Sequence, residues 1–280
     1  TSSAASDVYK RQDNKDDIPV LTGPKNYNES DYLRKIDDIL QTIENNKDIY
    51  LKKDLKLYSP KFYEIVKSLE KSEGSALIYS QFRNVEGIGL LKKTLSANGY
   101  AEFKLKKQKN TYVLDIDKED YNKPKYAEFT GDKEMTNVLL DIFNNNLKNL
   151  SKDILKDLDK LHSKEKEVNN GNLRGSLIKI MMITQSGSEG ISLKNVRQVH
   201  VVEPYWNMIR IDQVIGRAAR TGSHLGLPKS ERNIDVFRYV SVFSKEQLKD
   251  TKVQRMDRGM TSDQVINCLL YTSDAADEVV

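Results

Sequence analysis

One short run of residues limits most strongly what this chain can fold into. Residues 177 to 183 (LIKIMMI) are apolar at every position except Lys179. A strand with apolar side chains on both faces has to be covered on both faces, as in a parallel sheet with helices on either side. The run therefore predicts a fully buried strand.

Strand and helix patterns alternate along the rest of the chain. Strands are predicted at 76 to 79, from near Tyr100, at 126 to 130, at 198 to 202 and at 234 to 243; helices are predicted at 31 to 46, 61 to 71, 84 to 98, 133 to 147 and 209 to 220. Ser59 and Pro60 supply an N-cap and a first-turn proline for the helix at 61 to 71. Strands separated by helices imply an α/β fold with a doubly wound parallel sheet, in which ligands gather at the carboxyl ends of the strands.

Polar segments set the expected domain limits. Residues 106 to 124 are expected to loop out, and residues 148 to 172 form a second polar insertion with a helix at 151 to 162. The predicted divisions are a disordered linker at 1 to 30, a helical lead-in at 31 to 57, the α/β domain at 58 to 245, the start of a truncated C-terminal extension at 246 to 267, and a tail at 268 to 280. Residues 1 to 12 and 268 to 280 resemble translated sequencing-linker sequence; the alternative is that they are ordinary chain ends.

Composition excludes several classes of protein. The 45 Lys and Arg against 41 Asp and Glu give a net charge of +4, and no apolar run is long enough to span a bilayer or serve as a secretory signal, so an intracellular location is expected. The single cysteine, Cys268, cannot form an internal disulfide, and His162, His200 and His224 lie too far apart for a zinc site. His200 lies in an apolar strand and is predicted to be a core residue. The lysine-rich run 104 to 109 is read as solvated surface rather than as a phosphate contact.

A glycine-containing turn follows the apolar strand. Residues 185 to 190 (QSGSEG) carry two glycines and two hydroxyls, which allow a tight turn that presents backbone N–H groups to an anion or a ribose. The spacing is neither G-x-S-x-G nor G-x-G-x-x-G, so a nucleophile elbow and a dinucleotide site are both excluded. By itself, the turn is equally well explained as a simple connection between two secondary-structure elements.

The predicted helix at 209 to 220 carries paired arginines. Gln213, Arg217 and Arg220 stand at helical spacing on one face, and Ile211, Val214, Ile215 and Ala218 are predicted to turn toward the sheet. Gly216, with Ala218 and Ala219, keeps the helix slim enough for a large ligand to approach the guanidinium groups. Guanidinium groups suit phosphate oxygens, whereas surface salt bridges are the competing role for such a pair.

These segments together resemble a known family. The turn, the strand ending in VVEPYWN and the Q-x-x-G-R-x-x-R helix resemble motifs V and VI of superfamily II helicases and translocases, while residues 75 to 82 (SALIYSQF) and 129 to 132 (FTGD) resemble two earlier motifs. The resemblance covers about residues 58 to 243. YSPK, YSQF, SEGISL and EPYWN are most similar to the helicases of nucleocytoplasmic large DNA viruses, which are relatives of poxvirus early-transcription-factor and nucleoside-triphosphatase helicases and of chromatin-remodelling translocases.

The resemblance implies a role for the chain and for its residues. The fold would be the second RecA-like lobe of a motor that binds ATP with Mg²⁺ between two lobes, with the Mg²⁺ ligands in the missing N-terminal lobe and no metal site here. Arg220 would be the arginine finger, Arg217 would face the phosphates, and Gln213 would help hold the interface. Gly187, Glu189, Gly190 and Gly216 would line the nucleotide site.

The resemblance also implies a nucleic-acid partner, with double-stranded DNA favoured. The residues at strand ends that would grip its backbone are Ser80, Gln81, Arg83, Thr130, Gly131, Thr184 and Ser186. Trp206 would stack on a base or, with equal claim, pack against the following helix. A viral protein of this family would work in the host cytoplasm or the virion, with the viral transcription machinery as a further partner.

One departure from the family limits the expected activity. The sequence contains no G-x-x-x-x-G-K-[ST], so the phosphate cradle and its lysine are absent and the chain is not expected to hydrolyse ATP alone. Residues 277 to 280 (DEVV) imitate a metal-binding box but follow the last motif without a strand before them.

The alternative function is a non-catalytic RecA-like module that binds nucleic acid without turnover. An upstream reading frame with G-K-T and D-E-x-H would favour the motor. A Rossmann-type enzyme is disfavoured because the first strand is followed by SQFR instead of a glycine-rich turn.

Overall fold

The computed structural model describes residues 29–83, 85–108, 111–129, 132–161, 171–184, 190–205, 207–249 and 259–268. The chain divides into two compact units after Asn45. Helix α1 (Glu29–Asn45) is the described part of the first unit. The second unit begins at Asn46, and within it Leu51 and Leu55 are buried, so the lead-in predicted at 31 to 57 is shared between the two units.

The second unit is built on a parallel sheet. Its described strands are β1 (Ser75–Tyr79), β2 (Ala101–Glu102), β3 (Leu105–Gln108), β4 (Thr111–Leu114), β5 (Lys125–Glu128), β6 (Ile180–Ile183), β7 (Val196–Val201) and β8 (Asp235–Arg238). Six of them form one sheet in the order β2-β5-β6-β1-β7-β8, and each neighbouring pair in it is parallel. Of the strand predicted at 177 to 183, residues 180 to 183 form β6, and all four are buried.

Helices cover both faces of this sheet. The helices after α1 are α2 (Leu55–Tyr58), α3 (Pro60–Lys71), α4 (Leu90–Ala97), α5 (Lys133–Phe143), α6 (Lys152–Leu161), α7 (Met208–Ala218) and α8 (262–268). Alternate residues of β1 point to opposite sides: Ala76 and Ile78 pack with α3 and α4, and Leu77 and Tyr79 pack with α5, α6 and α7. The doubly wound parallel sheet predicted from the sequence is confirmed. No described helix is both long and apolar enough to cross a membrane.

Local sequence explains where the helices begin and end. The Ser59 hydroxyl accepts a hydrogen bond from the Phe62 N–H at 3.3 Å, and Pro60 occupies the first turn of α3, as predicted. Asp132 caps α5 by accepting from the N–H groups of Glu134 and Met135. Helix α5 ends at Phe143, four residues before its predicted end, and Asn145 adopts a positive φ of 61° just beyond it.

The segment expected to loop out at 106 to 124 contains a β-hairpin. Strands β3 and β4 pair antiparallel, with Lys107 opposite Tyr112. Leu105 and Tyr112 are buried in the same core cluster as α5 and α6, so the hairpin packs on the lobe through these two side chains. Two described lysines of the 104 to 109 run meet carboxylates: Lys106 lies 2.8 Å from Asp115, and Lys107 lies 2.9 Å from Glu134. The loop prediction is therefore wrong for β3 and β4, whereas residues 115 to 124 form no strand.

His200 lies in the core, as predicted. Its ring is fully buried in β7, with Nδ1 2.8 Å from the Tyr239 hydroxyl and Nε2 3.2 Å from Gln198 Oε1. The ring also stacks on Phe237 of the edge strand β8, with 5.0 Å between ring centroids. Burial lowers the pKa of His200 to about 4, so the ring is neutral at ordinary pH.

Helix α8 folds back on the lobe within the predicted C-terminal extension. Thr261 and Gln264 form a reciprocal cap: the Thr261 N–H donates to Gln264 Oε1 at 2.9 Å, and the Gln264 N–H donates to Thr261 Oγ at 3.2 Å. Asp263 accepts from Lys61 of α3 at 3.1 Å and from the Ser241 N–H at 2.8 Å. The described part of this segment is thus docked by the Asp263 carboxylate and by the Thr261 hydroxyl, which donates to the Ser241 carbonyl at 2.6 Å. The hydrogen bonds from Ser241 and Lys61 lower the pKa of Asp263 although burial acts to raise it.

Candidate nucleotide and nucleic-acid site

The carboxyl ends of the central strands meet at one edge of the sheet. Tyr79 is in register with Ile183 on one side and with Val201 on the other. The residues that follow these strands, Ser80, Thr184 and Glu203, therefore emerge side by side. The same edge receives the loop after β5, because Glu128 is in register with Met182. The segments predicted to form a site are brought together there.

Part of the predicted site lies outside the described residues. These positions are Ser186, Gly187 and Glu189 of the turn, Thr130 and Gly131 after β5, and Trp206. Two flanking residues are described. Thr184 is buried, with 8% of its surface exposed, and Gly190 has φ 78° with open space where a Cβ would stand. A positive φ of this kind favours glycine, which fits the tight turn expected from the sequence.

Helix α7 presents a mixed face beside this edge. Ile211, Val214 and Ala218 are buried against the sheet, as predicted, whereas Gln213 is exposed. A Cβ at Gly216 would meet nothing within 4 Å. The helix is therefore slim and open at the position where close approach of a ligand was expected.

Arg220 lies beyond the end of α7, which corrects the prediction of a helix through residue 220. The helix ends at Ala218, and Ala219 leaves helical geometry with ψ 43°. The Arg220 carbonyl then accepts from the Ser223 N–H at 3.0 Å, which forms a turn. Arg220 is exposed on this turn, so the turn and not the helical period sets its position relative to Arg217.

Hydrogen bonds join the end of α7 to the segment that follows the glycine-containing turn. The Leu193 N–H donates to the Arg217 carbonyl at 2.9 Å, and the Asn195 N–H donates to the Ser223 carbonyl at 3.0 Å. The Ser223 hydroxyl also donates to the Ala218 carbonyl at 3.0 Å. Two sequence patterns that are about 25 residues apart thus form one hydrogen-bonded unit.

Arg217 carries an unsatisfied donor. Its side chain is half-buried, and its Nε is shielded from solvent without a hydrogen-bond partner among the described residues. A buried donor without an acceptor costs about 1–3 kcal/mol, so native structures rarely leave one unpaired. The guanidinium is therefore suited to an acceptor that the described residues do not supply.

The turn after β1 is held from the neighbouring strand. Glu203 accepts from the Ser80 hydroxyl and from the Gln81 N–H, each at 3.0 Å. Gln81 Nε2 also donates to the Pro204 carbonyl at 3.1 Å. Ser80 is fully buried, so its hydroxyl supports the turn here and is not exposed to a ligand, whereas Arg83 is exposed and pairs with Glu128 at 3.1 Å.

Sequence reasoning assigned no role to Glu203, Tyr205 or Arg210. Burial raises the pKa of the Glu203 carboxyl, against the lowering by its hydrogen bonds from Gln81 and Ser80 and by Lys61. The Arg210 guanidinium stacks over the Tyr205 ring at 4.7 Å and donates to its hydroxyl at 2.6 Å. The signal that could have found Glu203 is its place directly after a strand, in EPYWN. In the described part of the chain, no three His, Cys, Asp or Glu residues converge as a metal site.

Comparisons with known proteins agree with this arrangement. Residues 108–222 match the model of the helicase conserved C-terminal domain. A termination factor NPH-I homolog of African swine fever virus is 34% identical over 190 residues, which is 66% of this chain and 26% of that protein. A putative ATP-dependent RNA helicase of Acanthamoeba polyphaga mimivirus is 47% identical over 85 residues, which is 30% of this chain and 18% of that protein.

A solved structure was also matched. The C-terminal part of the Fun30 ATPase domain is 15% identical, with a TM-score of 0.40 over 76% of this chain and 52% of that one. The chain spans about a quarter or less of the length of the curated viral relatives described above. From the matched domain and the viral relatives, residues 108–222 of this chain form a helicase conserved C-terminal domain, and the chain is similar to the viral helicase-like proteins named above.

Proposed function

We propose that this chain is the second motor lobe of an ATP-dependent nucleic-acid helicase or translocase. The observation that carries the proposal is Arg217, whose buried Nε has no acceptor among the described residues and which lies next to the open position at Gly216. A triphosphate at this helix would supply the missing acceptor, because phosphate oxygens accept from guanidinium N–H groups. The chain that completes the site would be the N-terminal lobe.

Arg220 is the arginine finger of this proposal. It is exposed on the turn that closes α7, so it can reach a nucleotide held by another lobe without leaving a buried position. In phosphoryl transfer such an arginine stabilises the charge of the transition state and contributes about 10³ to 10⁵ in rate. Arg217 would bind the phosphates, Gln213 would contact the facing lobe, and Gly187, Glu189 and Gly190 would line the nucleotide. ATP would bring Mg²⁺, which screens charge on the phosphates, with its protein ligands in the N-terminal lobe.

The nucleic acid would run along the same edge of the sheet. Among the described residues, exposed Arg83 and the partly exposed Gln81 are the accessible candidates, whereas Ser80 and Thr184 are buried. The other members of the predicted set are Thr130, Gly131, Ser186 and Trp206. Such contacts fix the register on a phosphate backbone without reading sequence. We favour double-stranded DNA as the track and a viral, intracellular setting linked to transcription or replication.

The test uses the full-length protein that contains this chain. We expect nucleic-acid-stimulated ATP hydrolysis, and we expect Arg220→Ala to lower its rate by about 10³ or more. Arg174→Ala is the matched control, because Arg174 is an exposed arginine before β6, at the opposite edge of the sheet, where it pairs with Glu231 at 2.9 Å. Full activity in Arg220→Ala would refute the assignment of the finger. Binding of nucleic acid with no hydrolysis in the unmodified protein would favour the non-catalytic module.

A further inference from the structure

Glu203 forms a link between two neighbouring strands at the edge where the site lies. It stands two residues after β7, and the Val202 N–H before it donates to the Tyr79 carbonyl at the end of β1 at 3.0 Å. One carboxylate oxygen lies 3.0 Å from the Ser80 hydroxyl, and the other accepts the Gln81 N–H at 3.0 Å. Both oxygens are therefore used on one turn, from a residue more than a hundred positions away in the chain.

The bonds of this carboxylate define the shape of residues 80 to 83. The Ser80 hydroxyl also lies 3.0 Å from the Phe82 carbonyl and accepts from the Phe82 N–H at 3.1 Å; the charged carboxylate is the stronger acceptor for its single proton. The Phe82 carbonyl accepts from the Ile88 N–H at 3.0 Å, and a Cβ at Gly87 would stand 2.0 Å from that oxygen. The turn is thus held on one side by Glu203 and closely packed on the other.

Two side chains are displayed by the turn held in this way. Phe82 is 49% exposed although it is aromatic, and the Arg83 side chain is 59% exposed. An exposed aromatic ring beside an exposed guanidinium provides a stacking surface and a phosphate contact. Both would be lost from this edge if the turn unfolded.

We propose that Glu203 is a positioning residue for nucleic-acid binding, acting by holding the turn that displays Phe82 and Arg83. The inference rests on the proposed function, since it assigns nucleic acid to this edge. An ionised carboxylate offers a charged acceptor at each oxygen, one for each of these two donors. In Glu203→Gln the amide NH₂ group would replace one acceptor, so the Ser80 hydroxyl would have to accept from it and turn its own proton to the Phe82 carbonyl, while the Gln81 N–H would keep only a neutral, weaker acceptor.

The sign of the effect on affinity separates positioning from charge. If Glu203 acted only through its charge, removing that negative charge should strengthen binding to a polyanion by less than about twofold. Glu246→Gln, at an exposed site, is the control that should show this charge effect alone. Positioning requires the opposite: Glu203→Gln should weaken binding of a short fluorescein-labelled DNA duplex by about threefold to tenfold, and Arg83→Ala should weaken it by a similar factor. In both Glu203→Gln and Arg83→Ala, the slope of the logarithm of the binding constant against the logarithm of the salt concentration should become shallower by about 0.9. This change corresponds to the loss of one phosphate contact. Fluorescence anisotropy over a series of salt concentrations measures both quantities.

A double variant tests whether Glu203 acts through the turn. If it does, Glu203→Gln combined with Arg83→Ala should bind no more weakly than about the weaker single variant, because neighbouring residues that act as one unit are not additive. Independent, additive losses would overturn the proposal. So would tighter binding by Glu203→Gln in a chain whose melting temperature matches that of Glu246→Gln.

The exchange rate of the Gln81 amide separates this inference from the proposed function. By NMR, the Gln81 N–H should exchange slowly in the unmodified chain and faster in Glu203→Gln, where its acceptor is neutral. Rapid exchange in the unmodified chain would overturn the positioning role, whatever the DNA result. Slow exchange together with no DNA binding by the unmodified chain would refute nucleic acid as the ligand of this edge. If Glu203→Gln does not fold, Ser80→Ala provides the second variant, because it removes one of the two hydrogen bonds to Glu203. It should weaken DNA binding and speed the exchange of the Gln81 N–H, each by a smaller factor.

Discussion

Replacing Gly216 by alanine should stabilise the lobe and weaken the motor. Gly216 lies within α7, and a Cβ there would meet nothing within 4 Å. Alanine should therefore gain helix propensity without a clash, about 0.5–1 kcal/mol. For a domain of this size the gain corresponds to a rise in melting temperature of about 1–4 °C.

The activity should move in the opposite direction. The added methyl group would stand beside Arg217, on the part of the helix proposed to meet ATP, and a displacement of about 1 Å at such a site can cost about 100-fold in rate. We expect the nucleic-acid-stimulated ATPase rate of the full-length Gly216→Ala protein to fall by about tenfold or more. Thermal melting by circular dichroism and a phosphate-release assay measure the two effects.

Asn137→Ala provides the control for this pair of measurements. Asn137 is exposed in the interior of α5, so alanine should raise helix propensity there by a comparable amount and leave ATP hydrolysis unchanged. Unchanged hydrolysis in Gly216→Ala would refute the reasoning that this face meets the nucleotide. Destabilisation by Gly216→Ala would show that the space around it is not open.

Three further predictions concern stability, each measured by urea unfolding. Because burial lowers the pKa of His200 to about 4, the unfolded chain takes up a proton that the folded lobe does not, so stability should fall by about 2 kcal/mol between about pH 7.5 and about pH 5. This fall should shrink in His200→Phe, and an equal fall would contradict the burial of the ring. Met181→Ala should cost about 2–5 kcal/mol, since Met181 is fully buried in β6; a loss below about 1 kcal/mol would argue against a packed centre. Ser59→Ala should cost about 1 kcal/mol by removing the cap of α3, and no change would show that the cap is dispensable.

The architecture was predictable because its signals are local. The apolar run of β6 needs cover on both faces, and Ser59 with Pro60 marks a helix start, whatever the rest of the chain does. The hairpin was missed because its stabilising contacts are distant in sequence: Tyr112 packs in the core of α5 and α6, and Lys107 meets Glu134. A lysine-rich strand has no apolar alternation that would reveal it.

The site was predictable at strand ends but not in its connections. A strand that ends beside another brings Ser80 and Glu203 together, yet only the three-dimensional fold gives their 3.0 Å hydrogen bond. Periodicity placed Arg220 on the helix with Arg217, whereas the bond from the Ser223 N–H to the Arg220 carbonyl forms a turn there instead. A single sequence gives residue types and spacing, but the closing of a turn depends on partners it does not identify.

The central claim is that an arginine of this chain acts on ATP held by another lobe. The direct measurement is single-turnover ATP hydrolysis by the full-length protein with Arg220→Ala, beside equilibrium binding of ATP to the same variant. We expect hydrolysis in this variant to be slower by about 10³ or more, which is a barrier raised by about 4 kcal/mol, with ATP affinity nearly unchanged. Hydrolysis at the unmodified rate, or a loss explained wholly by weaker ATP binding, would contradict it.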